Sequence, residues 1–482
     1  MIGIVVSRAD EASTQLGQQL RAVGEWTAHE DERRADGDGG GTYYTTAGFE
    51  LREFDTIHIE LDDPGAAFSD PEDLDFIVFV SRHAGDTGRL LTAHVTGNFG
   101  PAEYGGDAGS FARAAPGAHK TVVEALSEYA PDDYEVGIEC THHGPTACST
   151  PSMFVELGSG EEQWNDSEAA RAIAKAVLDL RGVAADHRPD GLEAPRHVVG
   201  FGGGHYTPRC ERIVTDTDWA VGHIGSDWQL DAMGDPAANR EVIEAAFEAS
   251  AAELAVVDGE EPDLERVIDD LGYRVVSETW LRTVGERPRT VVAAAETTLS
   301  AVADGVRFGE VAVDSDGDPN PTEAWTVVSL PDDLIAAANG IDADATLVAV
   351  TETTIAYETT EGATLPAGRA LVADTTDFDQ LIDRLAGLLV TDYESVEQTT
   401  EGVICRDTGF DPEKADTLGV PEGPKFGRLA AGETITINGR EITPESVESE
   451  RIERFTVDWP ESEPADQRAE TASDGRLTNG ER

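Results

Sequence analysis

Short apolar runs alternating with amphipathic stretches constrain the first 290 residues more than any other feature. Strand-like runs stand at Ile2–Val6, Thr56–Leu61, Phe76–Ser81, Leu90–Val95, Tyr134–Cys140, Phe154–Leu157, His197–Phe201, Ala220–Ile224, Leu254–Val257 and Arg274–Trp280. Helical patterns fall between them at Glu11–Val23, His119–Tyr129, Asp166–Arg181, Ala237–Ser250 and Leu264–Leu271. In the clearest, Asn165 or Asp166 can cap the start, and Ala169, Ile173, Val177 and Leu180 form one apolar stripe. Strand–helix alternation predicts an α/β domain over residues 1–290, a layered sheet with helices on both faces. Asp36–Gly41, with four glycines in six residues, predicts a flexible surface loop, an insertion.

The texture changes after Thr290. Residues 291–400 are rich in Thr, Val, Ala and Asp, with helical patterns at Asp332–Ala338 and Phe378–Leu389. Residues 401–460 are more β-like, with short strands expected at Thr434–Ile437 and Phe455–Val457. Together 291–460 predict a smaller α/β or α+β extension. From 461 to 482 the only large apolar residue is Leu477, which predicts a disordered acidic tail. No internal repeat is visible.

Charge adds the environment. The chain has 95 Asp and Glu against 35 Lys and Arg, a net −60, and only four of the cations are lysines. Such self-repulsion is tolerable in molar salt, where the Debye length shrinks to ~3 Å. An acid-rich, lysine-poor surface over ordinary apolar cores is therefore read as that of a halophile's protein. Met1 leads directly into an apolar strand, and no apolar run approaches a membrane span. Four cysteines (Cys140, Cys148, Cys210, Cys405) are too few to staple 482 residues. These features predict reduced thiols in a cytoplasmic chain, with no membrane partner.

All eleven histidines lie between residues 29 and 223. Several stand where apolar runs end: Ser81-Arg82-His83, Leu91-Thr92-Ala93-His94, Cys140-Thr141-His142-His143-Gly144-Pro145-Thr146, Gly202-Gly203-Gly204-His205-Tyr206, and Gly222-His223. Ends of strands are where α/β sheets place their sites. Adjacent strand residues face opposite ways, so His142 and His143 can share a site only if the chain turns, and Gly144-Pro145 supplies a turn. Each cluster alone could be a buried or surface histidine; together they predict one shared site. Its imidazoles could ligate zinc, act as a base or donate to an oxyanion. Glu139 and Glu156 are the neighbouring carboxylates, either of which could be ligand, supporting partner or base. The three glycines before His205 could present amides to a phosphate or an oxyanion.

Four motifs, in this order, resemble the archaeal type of D-aminoacyl-tRNA deacylase, also found in plants: Ser81-Arg82-His83, Leu91 to Asn98, His142 to Thr146, and Gly202 to Pro208. The opening Ile4-Val5-Val6-Ser7 strand matches too, and the resemblance covers about residues 1–285. It implies an enzyme that hydrolyses the ester between a D-amino acid and the tRNA 3′ end. It implies zinc, and a fold like that of peptidyl-tRNA hydrolases and nucleoside phosphorylases. Thr207 departs from the pattern, where a small residue is expected.

On this reading His142, His143, His205 and Glu156 are the expected catalytic residues. Arg82, Asn98, Thr146, Gly202, Gly203, Gly204 and Tyr206 are expected to bind substrate, with Arg113 and Arg209 as further phosphate contacts. The expected metal ligands come from His83, His94, His142, His143, His205 and His223. The expected partner is D-aminoacyl-tRNA, met by a monomer. Other readings are a peptidyl-tRNA hydrolase or another metal-dependent hydrolase on the same scaffold, and a zinc-stabilised RNA-binding module without catalysis. One segment of the extension, Leu418 to Leu429, is similar to a Gly/Pro motif of tRNA 3′-end-processing endonucleases. A compact loop before a strand is the plainer reading.

Overall fold

The computed structural model describes residues 1–189, 192, 194–311 and 325–460, so the expected tail at 461–482 lies outside them. The chain forms two compact units, Met1–Glu286 and Arg287–Arg482. The strands of the first unit are β1 (Ile2–Ser7), β2 (Thr27–Asp31), β3 (Gly41–Thr46), β4 (Phe49–Phe54), β5 (Phe76–Arg82), β6 (Leu90–His94), β7 (Glu135–Ile138), β8 (Ser152–Gly158), β9 (His197–Gly202), β10 (Ala220–Gly225), β11 (Leu254–Asp258) and β12 (Arg274–Val275).

They build two sheets. The larger has the order β2-β3-β4-β1-β5-β8-β6-β7; β4, β1, β5 and β8 run parallel, while β6 and β7 run against β8. The smaller, β10-β9-β11-β12, is wholly parallel. The central strands are buried along their whole length, as parallel strands covered on both faces must be. The helices Glu11–Val23, Pro116–Tyr129 and Ser167–Leu178 pack side by side as one layer. Asp10 and Asp166 cap the first and third of these through their carboxylates.

Four expectations need correction. Among the described residues, the opposite face of the large sheet is covered by 3₁₀ turns and loops rather than by α-helices. There Val5, Ile77, Phe79 and Phe154 pack with Leu61, Ala67 and Phe68. Those covering residues belong to 3₁₀ turns and their flanks, where Pro64 and Pro71 break up the chain. One such turn, His58–Glu60, stands in place of the strand expected at Thr56–Leu61. Nor is Asp36–Gly41 a loose insertion. It joins β2 to β3, with Gly39 and Gly41 at positive φ, and the Gly39 carbonyl accepts a 2.6 Å hydrogen bond from buried Arg52. That guanidinium also bonds Glu50 at 2.6 Å and Asp31 at 3.1 Å. Finally, the run at Arg274–Trp280 is strand only to Val275 and then turns into the helix Glu278–Val284.

The second unit is α+β. Strands β13 (Arg307–Phe308), β14 (Thr326–Ser329), β15 (Ala356–Thr360) and β16 (Leu365–Val372) make an antiparallel sheet in the order β13-β15-β16-β14. The chain continues through β17 (Ser395–Thr399), β18 (Gly402–Phe410), the hairpin of β19 (Ile435–Ile437) and β20 (Arg440–Ile442), and β21 (Glu448–Thr456). Leu334, Ile335, Phe378, Leu381, Leu385 and Leu389 from its helices share a core with Val372, Val403 and Phe455. Val420 and Leu429, in the Gly/Pro segment, pack with Ile435, Ile437 and Ile442, which makes the segment a compact lead-in to the hairpin.

Candidate active site

Register builds the floor of the site. Phe79 on β5 pairs with Phe154 on β8, which pairs with His94 on β6; Ser81 likewise pairs with Glu156, and Glu156 with Thr92. Alternate residues of a strand share a face, so these two rows lie side by side across the sheet. The rings of the first row stack, Phe79 on Phe154 at 4.6 Å and Phe154 on His94 at 5.2 Å. In the second, Ser81 Oγ donates to Glu156 Oε1 at 2.6 Å, and Thr92 Oγ1 donates to Glu139 Oε1 at 2.5 Å. The site thus lies where these strands end, as expected, and extends back across the sheet face.

Above the floor is a cavity of about 390 Å³ whose walls include Asp10, His58, Arg82, His83, Tyr104, Glu139, His142, His143, Glu156 and His205. Both adjacent histidines reach it because His143 itself adopts a left-handed conformation, φ +46°, one residue before the expected turn. The rings of His94 and His142 lie 4.4 Å apart, and those of His142 and His143 4.5 Å.

The second sheet delivers His205. Gly202 and Gly203 have φ of +91° and +81°, conformations that glycine adopts without steric cost, and they swing the chain out of β9. Residue 206 then bridges Glu139, and Cys140 N–H donates to the His205 carbonyl at 2.8 Å. His205 Nε2 ends 2.7 Å from Glu139 Oε2, and its Nδ1 is 3.5 Å from Cys140 Sγ.

Two trios of ligating groups result, each with its atoms within 4.8 Å: His94, His142 and His143, and His83, Glu139 and His205. They differ in what is already spent. In the first, each ring faces a backbone carbonyl through Nδ1: His94 to Val95 at 3.2 Å, His142 to Cys140 at 2.8 Å, His143 to Gly144 at 2.7 Å. A ring that donates through Nδ1 keeps an Nε2 lone pair free. His94 Nε2 is buried, lacks any hydrogen-bond partner, and sits 3.4 Å from Glu156 Oε1 without the alignment of a bond. The second trio is satisfied internally. His205 bonds Glu139, and His83 Nε2 meets the Tyr206 hydroxyl at 2.8 Å while its Nδ1 meets Ser159 Oγ at 3.0 Å.

The electrostatics follow from burial. Desolvation first, then His94, pushes His142 down to about 3, and His143 falls well below the usual range for the same cause. Burial opposes charge on His94 too, yet Glu156 and Glu139 outweigh it and draw that ring upward. Glu139 would be raised by burial, but the hydrogen bond from His205 and the nearby rings hold it well below the ordinary carboxylate range. Contacts with the Cys140 sulfur and then Glu139 push His205 up to about 10, so it is a cation at neutral pH.

Other expected residues are placed elsewhere. His223 lies inside β10, fully buried, its Nδ1 at Thr141 Oγ1 and its Nε2 at the Ala112 carbonyl; the structure does not bring it to the trios. The Gly203 amide donates to Asp227 Oδ1 at 2.8 Å, and Gly202, Gly203 and Gly204 serve as the hinge for His205 rather than as cavity lining. Asn98 and Thr146 brace a neighbouring loop: Asn98 Nδ2 donates to the Gly105 and Asp107 carbonyls, and Asp107 N–H donates to Thr146 Oγ1. Arg113 pairs with Asp186, and Arg209 with Asp258. Arg82 alone of the three expected arginines lines the cavity, its guanidinium 5.3 Å from the centre of the Trp164 ring. Three wall residues were not singled out from sequence. Asp10 is legible only as the residue before a helix, His58 lies inside a run that reads as strand, and Tyr104 follows the Gly97–Gly100 motif without any pattern of its own.

Comparison with known proteins bears on the same region. The family model described as D-aminoacyl-tRNA deacylase matches residues 70–276. A D-aminoacyl-tRNA deacylase of Halorubrum lacusprofundi is 54% identical over 95% of this chain and 97% of its own length. That of Natronomonas pharaonis is 50% identical over 94% of this chain and 100% of its own. A solved structure described as a conserved protein of unknown function is 28% identical, with a TM-score of 0.51, over 58% of this chain and 96% of that one.

Proposed function

The chain belongs to the D-aminoacyl-tRNA deacylase family, and from that premise we propose how its cavity carries out the reaction. The reaction is hydrolysis of the ester joining a D-amino acid to the 3′ end of tRNA, releasing both. The observation that carries the assignment to this cavity is the gathering of His83, His94, His142, His143 and His205 around Glu139 and Glu156.

Zinc fits the first trio. Its three imidazoles have Nδ1 occupied and Nε2 turned inward, one of them an orphaned buried nitrogen, with carboxylates near enough to favour positive charge there. His94, His142 and His143 would hold the ion, which when bound polarises a carbonyl and acidifies water. The remaining chemistry belongs to the chain. Glu156, held by Ser81, takes the proton of the attacking water and returns it to the ribose oxygen as the acyl C–O bond breaks. His205, charged and about one third exposed, faces the oxygen where negative charge develops. Glu139 keeps that ring protonated and oriented, and Tyr206 fixes His83. Arg82, held over the Trp164 ring, meets the terminal phosphate.

We also read the parallel β4-β1-β5-β8 run under its helical layer as kin to peptidyl-tRNA hydrolases and nucleoside phosphorylases, and the enzyme as a cytoplasmic monomer. Among the described residues no helix is long and apolar enough to cross a membrane.

The test is turnover of D- and L-tyrosyl-tRNA in molar KCl. Preferential loss of the D-ester supports the reading, and equal or absent loss refutes it. Protein verified as metal-free should be inactive and zinc should restore it; full activity without metal would remove zinc from the scheme. His94→Ala should lower bound zinc as measured by mass spectrometry.

A further inference from the structure

One side chain of the cavity wall adds little to the buried core. Tyr104 lines the cavity, yet 67% of the residue is exposed. A ring left mostly in water contributes little of the stabilisation that burying it would give. It is nonetheless held firmly. Gly105 and Gly106 follow it at φ +84° and +74°, and Asn98 and Thr146 tie down the backbone at Gly105 and Asp107. Two further bonds join this loop to the histidine turn: Gly97 N–H to the His143 carbonyl and Gly144 N–H to the Tyr104 carbonyl, both 3.0 Å. The other aromatic side chains of the cavity wall are engaged, Phe154 in the ring stack and the imidazoles in hydrogen bonds or ring contacts.

We propose that Tyr104 is the stacking surface for the nucleobase of the tRNA's 3′-terminal nucleotide. This rests on the aminoacyl-tRNA reading above. The scissile ester and the terminal base hang from the same ribose, so a base whose ester reaches the histidines must lie at the rim of this cavity. Stacking also suits the medium. In molar salt the gain from neutralising phosphates largely vanishes, whereas base–aromatic contact persists and tolerates any base. A chain at −60 must bind a polyanion by contacts of that kind.

The experiment uses the full chain in molar KCl. Wild-type turnover of D-tyrosyl-tRNA tests the parent reading by itself; the variants test Tyr104. Tyr104→Ala and Tyr104→Leu should raise KM roughly 5- to 150-fold, the span of base–aromatic stacking, with kcat largely kept. Tyr104→Phe and Tyr104→Trp should stay near wild type. The KM effect should be equal for D-alanyl- and D-tyrosyl-tRNA, because the base is common to both, and inhibition by AMP should weaken in parallel. Leu performing as well as Tyr would reduce the ring to apolar cover and overturn the proposal. A fall in kcat at constant KM would make the residue a strut for the histidine turn. A loss confined to D-tyrosyl-tRNA would assign the ring to the amino acid. Each of these outcomes refutes the base platform.

Discussion

Buried polarity sets the two units apart. Among the described residues, the C-terminal unit buries no charged side chain; the hydroxyls of its buried Thr346, Thr353 and Thr354 each donate to a carbonyl one helical turn back, and its other buried polar groups belong to the aromatic Tyr357 and Trp459. The N-terminal unit buries Asp10, Glu50, Arg52, Lys120, Glu139 and Glu156, and six histidines besides. Burying such groups costs free energy unless partners compensate, and partial compensation is what leaves His94 Nε2 available. Surface charge draws no such distinction. Residues 1–286 carry 55 acids and 20 bases, a net −35, and residues 287–482 carry 40 and 15, a net −25. Per residue the two are nearly equal. Acidity is thus shared by both units, while the histidine clusters and the buried charges lie in the first.

The largest expected effect tests the shared half of this contrast. Lowering KCl from molar to ~0.1 M lengthens the Debye length to ~10 Å, and both units should lose far-UV circular dichroism. Retention of structure by either would break the claim that their surfaces are equivalent.

Next come the histidines. His142→Ala, His143→Ala and His205→Ala should each lower deacylation about 10²–10⁴-fold with the fold intact, and double variants should add little. Near-wild-type rates would show that the polar interior is structural.

Acid should then separate the units. Burial depresses His119, His197 and His223 to about 4 in the folded chain. The unfolded chain, with ordinary imidazoles near 6.5, therefore binds more protons between pH 6.5 and 4, and stability falls as pH falls through that window. Each such histidine withdraws up to about 2 kcal/mol between pH 7 and 5. His205 has a raised folded pKa, so its stabilisation is complete below 6.5, and its small gain offsets less than one of them. The C-terminal unit has no histidine and should not respond by this route. Urea titrations at the two pH values, with proteolytic cuts mapped by mass spectrometry, read the units separately.

The smallest effect is that of truncation. A folded, monodisperse 1–286 fragment should hydrolyse a short acceptor-end mimic with a loss under about tenfold, ~1.4 kcal/mol of barrier. The solved relative, which matches 58% of this chain over 96% of its own, is of about that size. An inactive fragment would place part of the site in the extension.

Much of this was legible in sequence where one element decides the outcome. The capped helix at Ser167–Leu178 and the buried runs of β1, β5 and β9 follow from local pattern. The histidines that meet in one cavity could be named because four motifs ended apolar runs. What failed was pairing information. Nothing local shows that Ser81, Glu156 and Thr92 stand in one row, because strand register is set by partners far along the chain. The split into two sheets, and the spending of the Gly203 amide on Asp227, were hidden for the same reason. His223 looked like the others because it follows a glycine near the end of an apolar run, yet it lies inside β10, which continues to Gly225.

The orientation of the His94, His142 and His143 rings depends on backbone carbonyls. Every amino acid carries that oxygen, so no single substitution can delete it. A lineage rewriting its exterior residue by residue toward Asp and Glu could proceed without disturbing the aim of these rings. An arrangement steered by side-chain carboxylates would have been exposed to the same mutational current. The inner geometry is therefore insulated from the evolutionary pressure that shaped the outside.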